Sequence, residues 1–211
     1  NWADENIPSI LMAWQLGTQS GHAIAQTLFG HSNPSGKLPM CFPRSVGQMP
    51  LYYNRFNTGR PGPQEQVFWS HYIDEKNAPL YPFGFGLSYT NFEYSNFQLK
   101  DFTRTEGMLE LSVNVKNTGK VNGREIVQLY IRDHYTSSAV RPIIELKDFQ
   151  PVHLAPGGSK KVVFKLPAER LGFYDQQGNF LIEEGAFDIM IGRHSGDLLK
   201  KKFQLTQDYS Q

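Results

Sequence analysis

The sequence predicts a mainly β protein: an antiparallel sandwich over its second half, preceded by a βα unit and an extended, ring-rich segment. Three observations point there. Apolar and polar residues alternate along 109–115 and again in several later segments, the period of a half-buried strand. A continuous apolar run at 10–14 is followed by apolar residues at helical spacing. The composition holds 15 Phe, 10 Tyr and 3 Trp beside 19 Gly and 13 Pro, which suits strands, turns and an aromatic core.

Taken in chain order, Ile10-Leu11-Met12-Ala13-Trp14 lies between Pro8 and Gly17 and reads as a strand buried on both faces, the kind found in parallel sheets. Ala23, Ile24, Thr27 and Leu28 then mark a helix, with Gly30 placed to end it. A βα pair needs parallel neighbours that the rest of the chain does not supply, so residues 1–50 read as the C-terminal remnant of an α/β sandwich domain. An isolated strand and helix packed on the downstream domain is the alternative. The chain starts at Asn1 with no initiator Met, basic leader or long apolar leader, and is expected to be a piece of something longer.

Residues 51–93 read as an extended inter-domain strap. Prolines, among them Pro61, Pro63, Pro79 and Pro82, argue against a long helix or a central strand. Rings such as Tyr52, Tyr53, Phe56, Phe83 and Phe85 would anchor such a segment to a surface, each burying a large apolar area.

Residues 94–211 read as the sandwich. Leu109, Leu111, Val113 and Val115 form one inward set, and Val127, Leu129 and Ile131 the next. Val162, Phe164 and Leu166 follow the Pro156-Gly157-Gly158 turn, and Phe187, Ile189 and Ile191 follow Glu184-Gly185. Leu199, Phe203 and Leu205 close the series, with Lys201 interrupting them. Asn117-Thr118-Gly119 and Asn122-Gly123 supply turn chemistry. Short strands with turns at this spacing predict an immunoglobulin-like sandwich of fibronectin III type.

Composition excludes several classes. With 21 Lys and Arg against 20 Asp and Glu, the net charge of +1 gives no cationic surface for nucleic acid. Hydrophobic residues are 39% and charged residues 19%, so the chain is not disordered throughout. No apolar run is long enough to span a membrane. Cys41 is alone and forms no internal disulfide.

The residues yield no catalytic constellation. His22, His31, His71, His134, His153 and His194 lack metal-binding spacing, and Cys41 has no partner, so no metal site is predicted. Gly17-Thr18-Gln19-Ser20-Gly21 opens a helix but lacks the Lys and spacing of a phosphate loop, and reads as a tight turn. The carboxylate pairs Asp4-Glu5, Asp74-Glu75 and Glu183-Glu184 read as solvated turn residues. A glycosidase needs two carboxyl groups flanking one bond, which neighbours in sequence do not establish. The strap's rings could stack on sugars, although packing between domains is the simpler use.

Ala25-Gln26-Thr27-Leu28-Phe29-Gly30 carries a resemblance, and so do four further groups of residues. They are Asn33-Pro34-Ser35-Gly36-Lys37-Leu38-Pro39; Phe42-Pro43-Arg44-Ser45 through Met49-Pro50 with Tyr52-Tyr53-Asn54; Pro79-Leu80-Tyr81-Pro82-Phe83-Gly84-Phe85-Gly86-Leu87-Ser88-Tyr89-Thr90; and Val127-Gln128-Leu129-Tyr130 with Arg141-Pro142, Glu145-Leu146-Lys147 and Leu154-Ala155-Pro156-Gly157. Together they resemble the bacterial β-glucosidases of glycoside hydrolase family 3, from about residue 7 to about residue 192.

The resemblance implies a periplasmic or secreted retaining glycosidase that acts on β-glucosides without a cofactor. Its partners in the same parent chain would be N-terminal catalytic domains, a barrel-like one with the nucleophilic Asp and an α/β one with the acid/base Glu. Neither motif has a counterpart here, so no catalytic residue is carried over, the substrate-binding residues stay unassigned and the chain alone is expected to be inert. Ser20, Phe85 and Asp148 depart from frequent family residues. Trp14, Trp69 and Asp74 could face a cleft between domains, with packing the plainer reading. The other function weighed is a stand-alone carbohydrate-binding or protein-interaction module. An uncovered βα unit would also favour a homodimer.

Overall fold

The computed structural model describes residues 1–62, 66–100, 102–103, 107–206 and 209–210. Pro63 of the strap and the last residues of the predicted sandwich, 207–208 and 211, lie outside them.

Two short helices open the chain, α1 (Trp2–Asn6) and α2 (Ser20–Leu28). Gly17–Gln19 forms a 3₁₀ turn leading directly into α2. Beyond the helix, Gly30 has a φ of +74°, a left-handed conformation that glycine adopts without steric cost, and its N–H bonds the Thr27 carbonyl. The strand expected at 10–14 does not form: no regular element is assigned between α1 and the 3₁₀ turn. Ile10, Leu11, Met12 and Trp14 stay 44–57% exposed. The physical reason is the lack of a parallel neighbour, without which an extended segment has no ladder and no covered face.

Among the described residues, ten strands follow from residue 92 onward: β1 (Phe92–Leu99), β2 (Met108–Asn117), β3 (Gly123–Asp133), β4 (Glu145–Leu154), β5 (Ser159–Pro167), β6 (Phe173–Tyr174), β7 (Phe180–Ile182), β8 (Gly185–His194), β9 (Asp197–Leu205) and β10 (Tyr209–Ser210). All pairings are antiparallel. One sheet runs β1-β2-β5, the facing sheet β4-β3-β8-β9, and a small third sheet β10-β7-β6. The first two form the expected fibronectin III-type sandwich.

Register places the predicted inward sets against one another. Leu109, Leu111 and Val113 of β2 stand opposite Leu166, Phe164 and Val162 of β5. Leu129 and Ile131 of β3 stand opposite Ile191 and Ile189 of β8. These side chains form one buried core between the sheets, with the Phe187 and Phe203 rings stacked 5.2 Å apart. Each fully buried side chain of this size contributes roughly 1.5–3 kcal/mol. Lys201, opposite Ile189, stands on edge strand β9 with its side chain exposed, so it interrupts the apolar row without burying a charge.

The Asn117–Gly123 turn and the Pro156-Gly157-Gly158 turn do not make hairpins. Each carries the chain from one sheet to the other, because β2 and β3, and likewise β4 and β5, belong to different sheets. The two turns brace each other, Gly157 N–H donating to the Asn117 carbonyl at 3.0 Å.

Candidate functional site

Strand β3 is buried on both faces. Val127, Leu129 and Ile131 point into the sandwich, while Gln128 and Tyr130 point out of it and are still 3% and 0% exposed. What covers them is the earlier part of the same chain. Residues 38–42 and 80–85 exchange backbone hydrogen bonds: Phe42 N–H to the Tyr81 carbonyl, Leu80 N–H to the Phe42 carbonyl, Leu38 N–H to the Phe85 carbonyl and Gly84 N–H to the Leu38 carbonyl, each 2.8 Å. Prolines at 39, 43, 79 and 82 remove donors, so the pairing stops at an isolated bridge instead of growing into a ladder. The surface this strap crosses is therefore the outer face of the four-stranded sheet.

Its docking is specific. Phe83 stacks on Tyr53 at 4.0 Å, and the Tyr53 ring meets Tyr130 edge-on at 6.2 Å. The Phe83 carbonyl accepts from Ser195 N–H and Oγ, each at 3.0 Å. Gln128 donates to the Gly84 carbonyl at 3.1 Å and to the Arg193 carbonyl at 2.6 Å, while its own oxygen accepts from the Tyr130 hydroxyl at 2.5 Å. Gly84 has a φ of +80°, and a Cβ there would fall 2.1 Å from Gln128 Oε1. Both the conformation and the approach require glycine.

Lys37 makes a largely buried polar contact. Its Nζ lies 3.3 Å from both carboxylate oxygens of Glu125, and the Tyr94 hydroxyl donates to Glu125 Oε1 at 3.0 Å. Glu125 shares the inward row of β3 and is 2% exposed. Burial pushes its carboxyl up, opposed by the Lys37 charge. Burial and the neighbouring carboxylate likewise push the Tyr94 phenol up. Lys37 also donates to the Gly86 carbonyl, tying it to the strap.

A second amide knot lies beside it. Asn33 Oδ1 accepts from Ser88 Oγ at 3.0 Å and Tyr89 N–H at 2.8 Å, and its Nδ2 donates to the Asn122 carbonyl at 2.9 Å. Buried Asn117 accepts from Thr90 Oγ1 at 2.5 Å and donates to the Val121 and Leu154 carbonyls. The polar side chains of Lys37, Glu125, Asn33 and Asn117 are engaged in hydrogen bonds within these two clusters. Their chemistry is to hold segments in register.

The residues singled out in the sequence are dispersed. Asp4 accepts from the Tyr81 hydroxyl at 2.6 Å, and Glu75 lies 3.9 Å from Arg44 Nε. Glu183 accepts from Ser137 N–H at 2.8 Å, a separate contact. Glu5 and Asp74 are exposed. Trp14 has a φ of +50° and meets Phe42 edge-on at 6.4 Å; Trp69 lies against Gly62 and donates to Gln66. Cys41 is buried, which pushes its thiol up. Among the described residues no group of three His, Cys, Asp or Glu is placed to hold a metal, and no helix is long and apolar enough to cross a membrane.

Sequence reasoning also missed an ionisable cluster on β8. Asp188, fully buried on the outer face of β8, lies 2.7 Å from His134 Nε2 and 2.5 Å from Lys200 Nζ. Burial alone would raise its carboxyl, but the contacts with Lys200 and His134 hold it below the usual range. The available signal was an Asp in an otherwise apolar strand, Phe187-Asp188-Ile189.

Comparison with known proteins accounts for these signatures. The Glycosyl hydrolase family 3 C-terminal domain matches residues 1–89, and the Fibronectin type III-like domain matches residues 125–195. A periplasmic beta-glucosidase of Salmonella typhimurium is 46% identical over 96% of this chain and 27% of its own length. A putative beta-xylosidase of Formosa agariphila is 41% identical over 97% of this chain and 26% of its own. The crystal structure of a beta-glucosidase from Listeria innocua in complex with glucose superposes with a TM-score of 0.87 at 38% identity, covering 92% of this chain and 27% of that one. The chain thus spans about a quarter of the length of the curated relatives it matches. It belongs to glycoside hydrolase family 3, as the C-terminal part of the family's larger proteins.

Proposed function

We propose that the chain is the C-terminal structural portion of a retaining, exo-acting β-glucosidase whose nucleophile and acid/base lie in upstream domains, and that it is inactive alone. One observation carries this reading. The sandwich has its core and its outer face covered by its own chain, whereas Ile10, Leu11, Met12 and Trp14 stay 44–57% exposed beside α2. An apolar run of that kind is suited to a parallel sheet supplied by preceding sequence. Upstream catalytic domains are its partners, and β-glucosides the substrate of the whole enzyme. The β-xylosidase name of one relative makes the sugar at the cleavage point the feature to assay first. A periplasmic or secreted location accords with the periplasmic relative.

Hydrolysis of aryl β-glucosides and β-xylosides, measured for the 211-residue chain and for a longer chain carrying the upstream sequence, tests the proposal. Turnover is expected from the longer chain alone. Turnover by the 211-residue chain, free of contaminating activity, overturns it.

A further inference from the structure

The amide knot forms one wall of an open groove of about 480 Å³. The groove runs between residues 33–35 and the paired ends of β3 and β4. Asn33, Ser35, Asn122, Arg124 and His153 line it, over a floor that includes Leu154. Arg124 and His153 face each other in register across the two strands. Arg124 forms no ion pair among the described residues. The smaller cleft beside Tyr94, about 240 Å³, differs in this respect, since its Arg193 is already paired with Asp197. The groove's frame is fixed. Asn33 is held by three hydrogen bonds, and a Cβ on Gly123 would fall 2.5 Å from Thr90 Cγ2, so the strand start is in close contact with its neighbour.

We propose that this groove binds a carboxylate-bearing saccharide, with Arg124 and His153 on the carboxylate and Asn122 and Ser35 on hydroxyls. A guanidinium offers a planar fork that pairs with a carboxylate through two parallel hydrogen bonds, and the imidazole opposite adds a third donor. Amide and hydroxyl side chains both donate and accept, which suits vicinal hydroxyls. The volume lies in the range of small-molecule sites. The saccharide half of the ligand rests on the function proposed above; the carboxylate half stands on Arg124 and His153.

The test is a titration of the ¹⁵N-labelled 211-residue chain with glucuronate, glucose and acetate, followed by amide shifts. Glucuronate is expected to give saturable shifts at Gly123 and Leu154, glucose none, and acetate binding weaker by about tenfold or more. Arg124→Ala is expected to weaken glucuronate about tenfold while leaving distant amides unmoved, with Arg124→Lys in between. No saturation with glucuronate, equal affinity for acetate, or undiminished binding by Arg124→Ala overturns the site. Those results leave the proposed hydrolase untouched, because that reading is decided by turnover of the longer chain.

Discussion

Residues 10–14 and 127–131 are two five-residue runs of similar apolar content, Ile-Leu-Met-Ala-Trp and Val-Gln-Leu-Tyr-Ile, and they end in opposite states. The second is buried throughout, and the first is largely exposed. Intrinsic preference does not explain the contrast, since both runs suit a doubly covered strand. Neighbours explain it: β3 is paired on one side by β4 and on the other by β8, with the core on one face and the strap on the other. Residues 10–14 have none of these. Strand formation is a property of the sheet more than of the segment.

The sharpest way to break that comparison uses one substitution in both runs. Leu129→Ala removes a fully buried side chain and should cost about 2–5 kcal/mol in urea unfolding. Leu11→Ala removes one that is 45% exposed and should stay within about 0.5 kcal/mol. A Leu11→Ala loss rivalling that of Leu129→Ala would show that the N-terminal run is covered in solution. In a longer chain that supplies the missing sheet, the Leu11→Ala loss should grow toward the core value.

The next effect concerns how the strap is held. Lys37→Met leaves the Glu125 carboxylate buried against the Tyr94 hydroxyl without its cation, and removing one partner of a buried pair costs about 3–5 kcal/mol. The Lys37 side chain keeps 13% exposure, so about 2–4 kcal/mol is expected here, with faster amide exchange across residues 36–42 and 80–86. Adding Glu125→Gln should return most of the loss, because the amide oxygen still accepts from Tyr94 and no charge remains. If the double variant is as unstable as Lys37→Met alone, the ion pair is not what fastens the strap.

These two regions also mark what could be read in advance. The strands were legible wherever one face is apolar and the other wet: Leu109, Leu111, Val113 and Val115 alternate with Glu110, Ser112, Asn114 and Lys116, and β2 forms there. Alternation carries no sign of a third layer, so the inward set Val127, Leu129 and Ile131 gave no notice that the strap also buries Gln128 and Tyr130. Glu125 sits in the inward row, yet its partner Lys37 is 88 residues earlier, a pairing no local period encodes. The family signatures were visible as words. That Lys37 pairs with Glu125, Gly84 with Gln128 and Asn33 with Ser88 became visible only once the chain was folded.

The smallest predicted effect sits where β3 leaves the sheet. Asp133 is 9% exposed, its Oδ1 accepts from Tyr135 N–H at 3.2 Å, and burial pushes its carboxyl up to about 6, against the pull of that N–H and of Arg141. Because the folded value lies above the unfolded one, the folded state holds more protons between about pH 4 and 6, and stability falls as pH rises through that window. Above it the penalty is constant, up to about 3 kcal/mol and less where water reaches the group. Asp133→Asn keeps the acceptor and removes the charge. It should therefore match the parent near pH 4 and exceed it by about 1–2 kcal/mol at pH 8, measured by urea unfolding at both values. Equal stability at pH 8 would mean that Arg141 already compensates the buried charge.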